Sequence, residues 1–160
     1  MKYQDHLDQA RDNLKTNKTF IKRLKKNKPK DLDDQFHALD DEVFQEIDCL
    51  ECANCCNTTS PIFQQGDIER LAKTLKMKVG TFIEMYLNLD EEGDYVLKSS
   101  PCAFLGNDNK CIVYESRPTA CREYPHTNRK RMHQILDLTL KNTTICPAVS
   151  QIVEKLSLSL

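Results

Sequence analysis

Apolar positions in the first 48 residues recur with helical spacing. Leu7, Ala10, Leu14, Ile21 and Leu24 fall about every 3.6 residues, with polar Asn17 in the remaining slot of the stripe. Asn27-Lys-Pro29-Lys breaks this pattern. Lys30 or Asp31 then opens a second helix whose Leu32, Phe36, Leu39, Val43 and Ile47 share one face. The pattern predicts an N-terminal helical hairpin over residues 1–48 that belongs to the same domain as the rest of the chain.

Downstream the pattern is shorter and more broken. Thr58 to Phe63 reads as an extended piece, and Asp67 as the cap of a helix burying Ile68, Leu71, Ala72 and Leu75. Thr81-Phe-Ile-Glu84 has capping-box spacing and predicts a short helix through Leu87. Asp90-Glu-Glu-Gly93-Asp is a turn leading into a strand at Tyr95-Val-Leu-Lys98. Cys102 to Pro125 is loop-rich. Met132, Ile135, Leu136, Thr139 and Leu140 are spaced as a helix, and Pro147 suits the first turn of a last one carrying Val149, Ile152, Val153 and Leu156. The expected fold is mainly α with minor β: a small single domain with the N-terminal helical hairpin and, within residues 49–160, a loop-rich cysteine metal centre.

Cysteine placement changes the picture most. Cys49-Leu-Glu-Cys52-Ala-Asn-Cys55-Cys56 puts four thiols in eight positions, and Cys102, Cys111, Cys121 and Cys146 follow singly. A C-x2-C step lets two sulfurs converge on one ion across a tight turn, and it occurs twice here, sharing Cys52. Thiolate sets select zinc, copper(I) or iron–sulfur chemistry over magnesium or calcium. Neighbouring side chains diverge, so Cys55 and Cys56 serve two centres or one of them is a packed thiol. The simplest zinc arrangement is two tetrahedral four-cysteine sites. Iron remains open, because Cys49, Cys52 and Cys55 match the start of a bacterial ferredoxin run and Cys146-Pro147 its ending. Against that, Cys56 comes directly after Cys55 instead of three residues later.

Composition narrows the classes. The chain is 39% hydrophobic and 29% charged, lacks Trp and has a formal charge of −1, so no overall field directs it to nucleic acid or a membrane. Seven basic residues lie between Lys18 and Lys30, interleaved with Phe20, Ile21 and Leu24, as on the solvated side of an amphipathic helix. The N-terminus has no secretory h-region and no run long enough to span a bilayer, so the expected location is cytoplasmic, with reduced thiols. Four isolated glycines leave no dinucleotide-binding or Walker-type loop.

A second block, Cys111-Ile-Val-Tyr114-Glu-Ser-Arg117-Pro118-Thr-Ala-Cys121-Arg122-Glu-Tyr124-Pro125, follows Pro101-Cys102-Ala-Phe-Leu105. With C-x2-C-x2-C-C, these segments resemble the bacterial CxxCxxCC (YkgJ-type) cysteine-cluster family from about Cys49 to Pro147. The resemblance implies chelation of zinc or iron, with a [4Fe–4S] cluster as one form, by Cys49, Cys52, Cys55, Cys56, Cys102, Cys111, Cys121 and Cys146. Flagellin lysine N-methylases carry a similar block in a longer chain, and their activity is not carried over.

Arg117 and Arg122 adjoin the second block, and thiolate centres need neighbouring cations and donors, so both are expected beside the ligands. Pro118 and Pro125 fix the loop path, and Tyr114 and Tyr124 pack. His126 and His133 are weaker ligand candidates once eight cysteines are available; His6 and His37 belong to the N-terminal helices. No serine–histidine–acid set can be assembled. The expected function is metal chelation in a structural or carrier role; catalysis at an open zinc position is the weakest of the readings, because eight thiols readily fill closed sites. The alternative is an iron–sulfur redox protein or an accessory to an enzyme, with a metal ion, and in that case a protein, as partner.

Overall fold

A computed structural model describes residues 2–160. Helices α1 (Gln4–Asp12), α2 (Leu14–Asn27), α3 (Leu32–Glu46), α4 (Cys49–Cys52), α5 (Asn54–Thr58), α6 (Gln65–Thr74) and α7 (Val79–Tyr86) lead to strands β1 (Leu87–Leu89) and β2 (Tyr95–Leu97). Helices α8 (Thr119–Glu123), α9 (Leu136–Asn142) and α10 (Pro147–Ser159) complete a mainly α fold with one two-stranded sheet among the described residues. The chain forms two compact units, Met1–Cys52 with Pro125–Leu160, and Ala53–Tyr124. No helix among the described residues is long and apolar enough to cross a membrane.

In the first unit the stripe of apolar positions becomes a core. Phe20, Ile21, Leu24, Leu32, Phe36, Val43 and Ile47 pack with Met132, Leu136, Val149, Ile152, Val153 and Leu156. Burying such side chains contributes about 1.5–3 kcal/mol each. The first arm of the hairpin is two helices rather than one, because the chain breaks at Asn13 (φ −93°, ψ 6°). The break shifts the helical phase: Leu14 stays 41% exposed, while Phe20 is buried alongside the expected Ile21 and Leu24. Asn17 is buried in its polar slot. Pro147 begins α10 as expected, and a 3-10 turn over Met132–Ile135 precedes α9.

The second unit packs Phe63, Ile68, Leu71, Phe82, Leu87, Leu97, Phe104 and Val113. Phe82 and Phe104 stack with centroids 6.2 Å apart, and Tyr86 closes on Phe104 at 5.0 Å. Strands β1 and β2 pair antiparallel, Leu87 opposite Leu97. In the turn joining them, Asp90 accepts the Glu92 and Asp94 N–H groups and Gly93 takes φ +82°. Leu87 therefore starts a strand instead of closing a helix. Helix α7 begins at Val79, two residues before Thr81, so the Thr81–Glu84 spacing does not act as a cap.

Asp67 also differs from its expected role. It sits in the first turn of α6 and reaches back to the Gln64 N–H at 3.0 Å instead of occupying the cap itself. Its other oxygen takes Arg70 Nη2 at 2.8 Å and the Thr119 N–H and hydroxyl, each at 3.1 Å. Burial alone would push this carboxyl up. The four donations outweigh burial and hold it below the usual carboxylate range.

Asp67→Ala is therefore expected to lower stability by about 2–4 kcal/mol in urea unfolding, because it strands buried donors. The Asp67 contribution is present above the unfolded carboxyl value near 4 and is lost as pH falls through the lower folded value. Unfolding midpoints measured down the acid range should converge for wild type and variant; parallel curves would contradict this role.

Candidate metal centre

The cysteine run lies on two short helical turns, α4 and α5, separated by Ala53 at φ +46°. In the first unit, Cys146 caps α10, packs against the core and lies close enough to Cys49 and Cys52 to feel the charge of both. Burial is the main influence on it and drives its thiol up to about 12, although the Val149 and Ala148 N–H groups favour the thiolate. Cys52 is buried, whereas Cys49 is exposed.

The second unit gathers four sulfurs more completely. Cys121 is raised to about 12, first by burial and then by repulsion from Cys56, Cys102 and Cys111. Burial likewise raises Cys102, which also feels Cys56 and Cys111, and it raises Cys111, which feels Cys56. Every pair among Cys56, Cys102, Cys111 and Cys121 is thus within electrostatic reach. Cys56 is instead lowered, to about 7, because the Cys55 thiol donates to it against the opposing effect of burial. Cys56, Cys102, Cys111, Cys121 and Cys146 are in no disulfide.

The loops holding these sulfurs are fixed by backbone contacts. The Cys102 N–H donates to the Cys56 carbonyl at 2.7 Å, and the Phe104 N–H donates to Cys102 Sγ at 3.4 Å. Leu105 and Cys111 form an antiparallel bridge that closes the loop between them, with the Gly106 N–H on the Lys110 carbonyl at 2.8 Å. Phe104, stacked in the core, anchors this loop two residues after Cys102.

The two arginines differ. Arg117 favours the thiolate at Cys111 and Cys121, while its guanidinium lies 3.8 Å from the Tyr114 ring centroid and its Nε donates to the Tyr114 carbonyl. Arg122 is engaged with the Glu115 carbonyl at 3.2 Å. Arg70, unremarked in the sequence, reaches the Ser116 carbonyl at 3.3 Å and the Arg117 carbonyl at 2.7 Å. With Asp67 on Thr119, it clamps the segment between Cys111 and Cys121. The i,i+3 Asp67–Arg70 spacing was the available signal, but nothing in the sequence tied it to residues 116–119.

The histidines have structural or surface positions. His37 Nε2 donates to the Arg129 carbonyl at 2.8 Å, His6 Nδ1 meets Gln151 Nε2 at 2.9 Å, and His133 is exposed. His126 is half-buried at φ +66°.

Two observations test whether metal suits these groups. A four-thiol set crowded at the edge of an apolar core is chemically matched to a soft ion that neutralises it. The buried Asn142 Nδ2, on the residue whose carbonyl receives the Cys146 N–H at 2.8 Å, has no acceptor among the described residues, and such a donor suits a thiolate although it cannot itself ligate a metal. Among those residues no three His, Cys, Asp or Glu side chains form a group that could hold a metal ion as they stand.

A family model described as "CxxCxxCC: Putative zinc- or iron-chelating domain" matches residues 48–147. No curated protein and no solved structure matches the chain.

Gly106 leads to a local prediction. A Cβ there would stand 2.9 Å from Asp108 Oδ1 and 3.2 Å from the Lys110 carbonyl, and Asp108 is held by the Lys110 N–H. Gly106→Ala should destabilise the chain by about 1–3 kcal/mol through overpacking and reduce metal uptake. An unchanged melting temperature and metal content would show that the loop adapts freely.

Proposed function

Because the chain belongs to the CxxCxxCC family, we propose that it is a zinc- or iron-chelating protein whose cysteines hold metal in a structural or carrier role. The observation that carries this reading is the mutual electrostatic reach of all pairs among Cys56, Cys102, Cys111 and Cys121. These four would form one thiolate site within Ala53–Tyr124, with Cys49, Cys52 and Cys146 contributing to metal binding in the other unit.

The protein's own groups prepare the site. Phe104 N–H steadies the Cys102 sulfur, Arg117 offsets the negative charge at Cys111 and Cys121, and the Asp67–Arg70 pair holds the intervening segment. Bound zinc would supply a tetrahedral cross-link to this loop-rich region, whereas bound iron–sulfur would supply a one-electron redox centre. A reducing compartment such as the cytoplasm suits thiols that must stay available as ligands.

One observation favours a second reading, an iron–sulfur redox or accessory protein. The structure brings Cys146, followed by Pro147, beside Cys49 and Cys52, two members of the ferredoxin-like run.

Anaerobic purification followed by elemental analysis and absorption spectroscopy separates the two. About two zinc ions in a colourless protein support the first, and iron with acid-labile sulfide in a brown one supports the second. Chelation should unfold the protein in either case; a stably folded preparation with neither metal would sink both. Cys121→Ser is expected to remove about one zinc per chain, or the corresponding cluster, and full retention would refute the four-cysteine grouping. Cys52→Ser should lower metal content and helicity together in circular dichroism.

A further inference from the structure

Asn142 is the last residue of α9, and its side chain is buried, with 3% exposure for the residue. Its Nδ2 has no acceptor among the described residues. A buried donor left unmatched is costly, and native folds keep few of them. Buried hydroxyls in the same unit are matched. Thr139 donates to the Ile135 carbonyl at 3.0 Å, Thr143 to the Leu140 carbonyl at 2.6 Å and Ser150 to the His6 carbonyl at 3.2 Å.

The turn after α9 keeps this amide one step before a cysteine. The Asn142 carbonyl accepts the Ile145 N–H at 3.1 Å and the Cys146 N–H at 2.8 Å. Residues four apart across a helical turn stand about 5–6 Å apart at their Cβ atoms, a gap that a carboxamide can span. Cys146 in turn precedes the 13-residue α10, whose Ala148 and Val149 N–H groups favour its thiolate. Sulfur chemistry decides when the Asn142 donor finds a match. A thiol is a weak acceptor, whereas a thiolate takes short, charge-assisted hydrogen bonds. Donors of this kind draw charge from a metal-bound sulfur and tune its centre.

We propose that Asn142 is a positioning residue for the metal centre, its Nδ2 donating to the Cys146 sulfur when that sulfur is a metal-bound thiolate. This role rests on the metal reading and falls to a residue outside the cysteine signature. The competing partner is Asn17, a second buried amide, on the helix α2 that packs against α9.

The test loads the full chain anaerobically with zinc or cobalt(II), in wild type, Asn142→Leu, Asn142→Gln, Asn17→Leu and Cys146→Ser. Comparison with Cys146→Ser identifies the part of the zinc affinity, and of the sulfur-to-cobalt charge-transfer band, that depends on Cys146. Asn142→Leu keeps the volume and removes the donor. It should weaken the Cys146-dependent zinc affinity about 10–100-fold. It should also move the band to lower energy, since a thiolate without its donor gives up charge more easily. Asn142→Gln should recover part of both effects, and Asn17→Leu should change neither. A further measurement needs no variant at Asn142. The Asn142 side-chain amide of the zinc-loaded wild type should resonate downfield of its position in Cys146→Ser. Unchanged band and affinity in Asn142→Leu, an equal effect of Asn17→Leu, or an unshifted amide would overturn this role and leave the metal reading standing. A wild-type chain that binds neither ion would overturn both.

Discussion

The central constraint is that sulfur anions gathered beside an apolar core repel one another and lose hydration. Cys121 and Cys146, both pushed up to about 12, would stay protonated if left to themselves, and burial raises Cys102 and Cys111 in the same direction. A soft cation reverses the sign of this arrangement. The closeness that penalises several thiolates is relieved where positive charge lies among them, since metal binding displaces protons from thiols. Cys56, helped by Cys55, is lowered to about 7, which favours its thiolate.

Much of the fold around that set works to keep flexible loops in place. Regular structure is sparse between Leu97 and Thr119, so the sulfurs depend on a few anchors. Phe104 ties the loop to Phe82 and Tyr86, the Leu105–Cys111 bridge closes it, and Arg70 with Asp67 fixes the return toward α8. Without those contacts the ordering entropy of the loop would fall entirely on metal binding.

The parts legible in the sequence were those governed by short-range periodicity. Helical spacing identified Leu7, Ile21, Phe36 and Val43 as core, and Pro147 marked the start of the last helix. The spacing could not show the break at Asn13, since a one-residue irregularity leaves the composition of the stripe almost intact. Thr81–Glu84 imitated a cap because the motif is only two residues deep, and packing of Phe82 at full burial set the helix start instead. For the candidate site, ligand types were legible but their neighbours were not. Adjacency of Arg122 to Cys121 suggested a shared role with Arg117, yet the chain direction at α8 carries its guanidinium to the Glu115 carbonyl. The Asp67–Thr119 and Arg70–Arg117 contacts join residues roughly fifty positions apart, a relation that one sequence does not encode locally.

The family match covers residues 48–147, leaving the N-terminal helices outside it. Packing nevertheless places those helices in one unit with Cys49, Cys52 and Cys146. The match ends at the first residue of α10, the helix that Cys146 caps. What holds α10 is α3, α1 and α2; Phe36 and Val43 of α3 and Ile21 and Leu24 of α2 pack in one core with Val149, Ile152 and Leu156. A helix of 13 residues is marginal in water without tertiary partners. The placement of Cys146 at the start of α10 therefore depends on side chains that carry no part of the cysteine signature. The hairpin is thus a support for the helix that begins at Pro147, directly after Cys146.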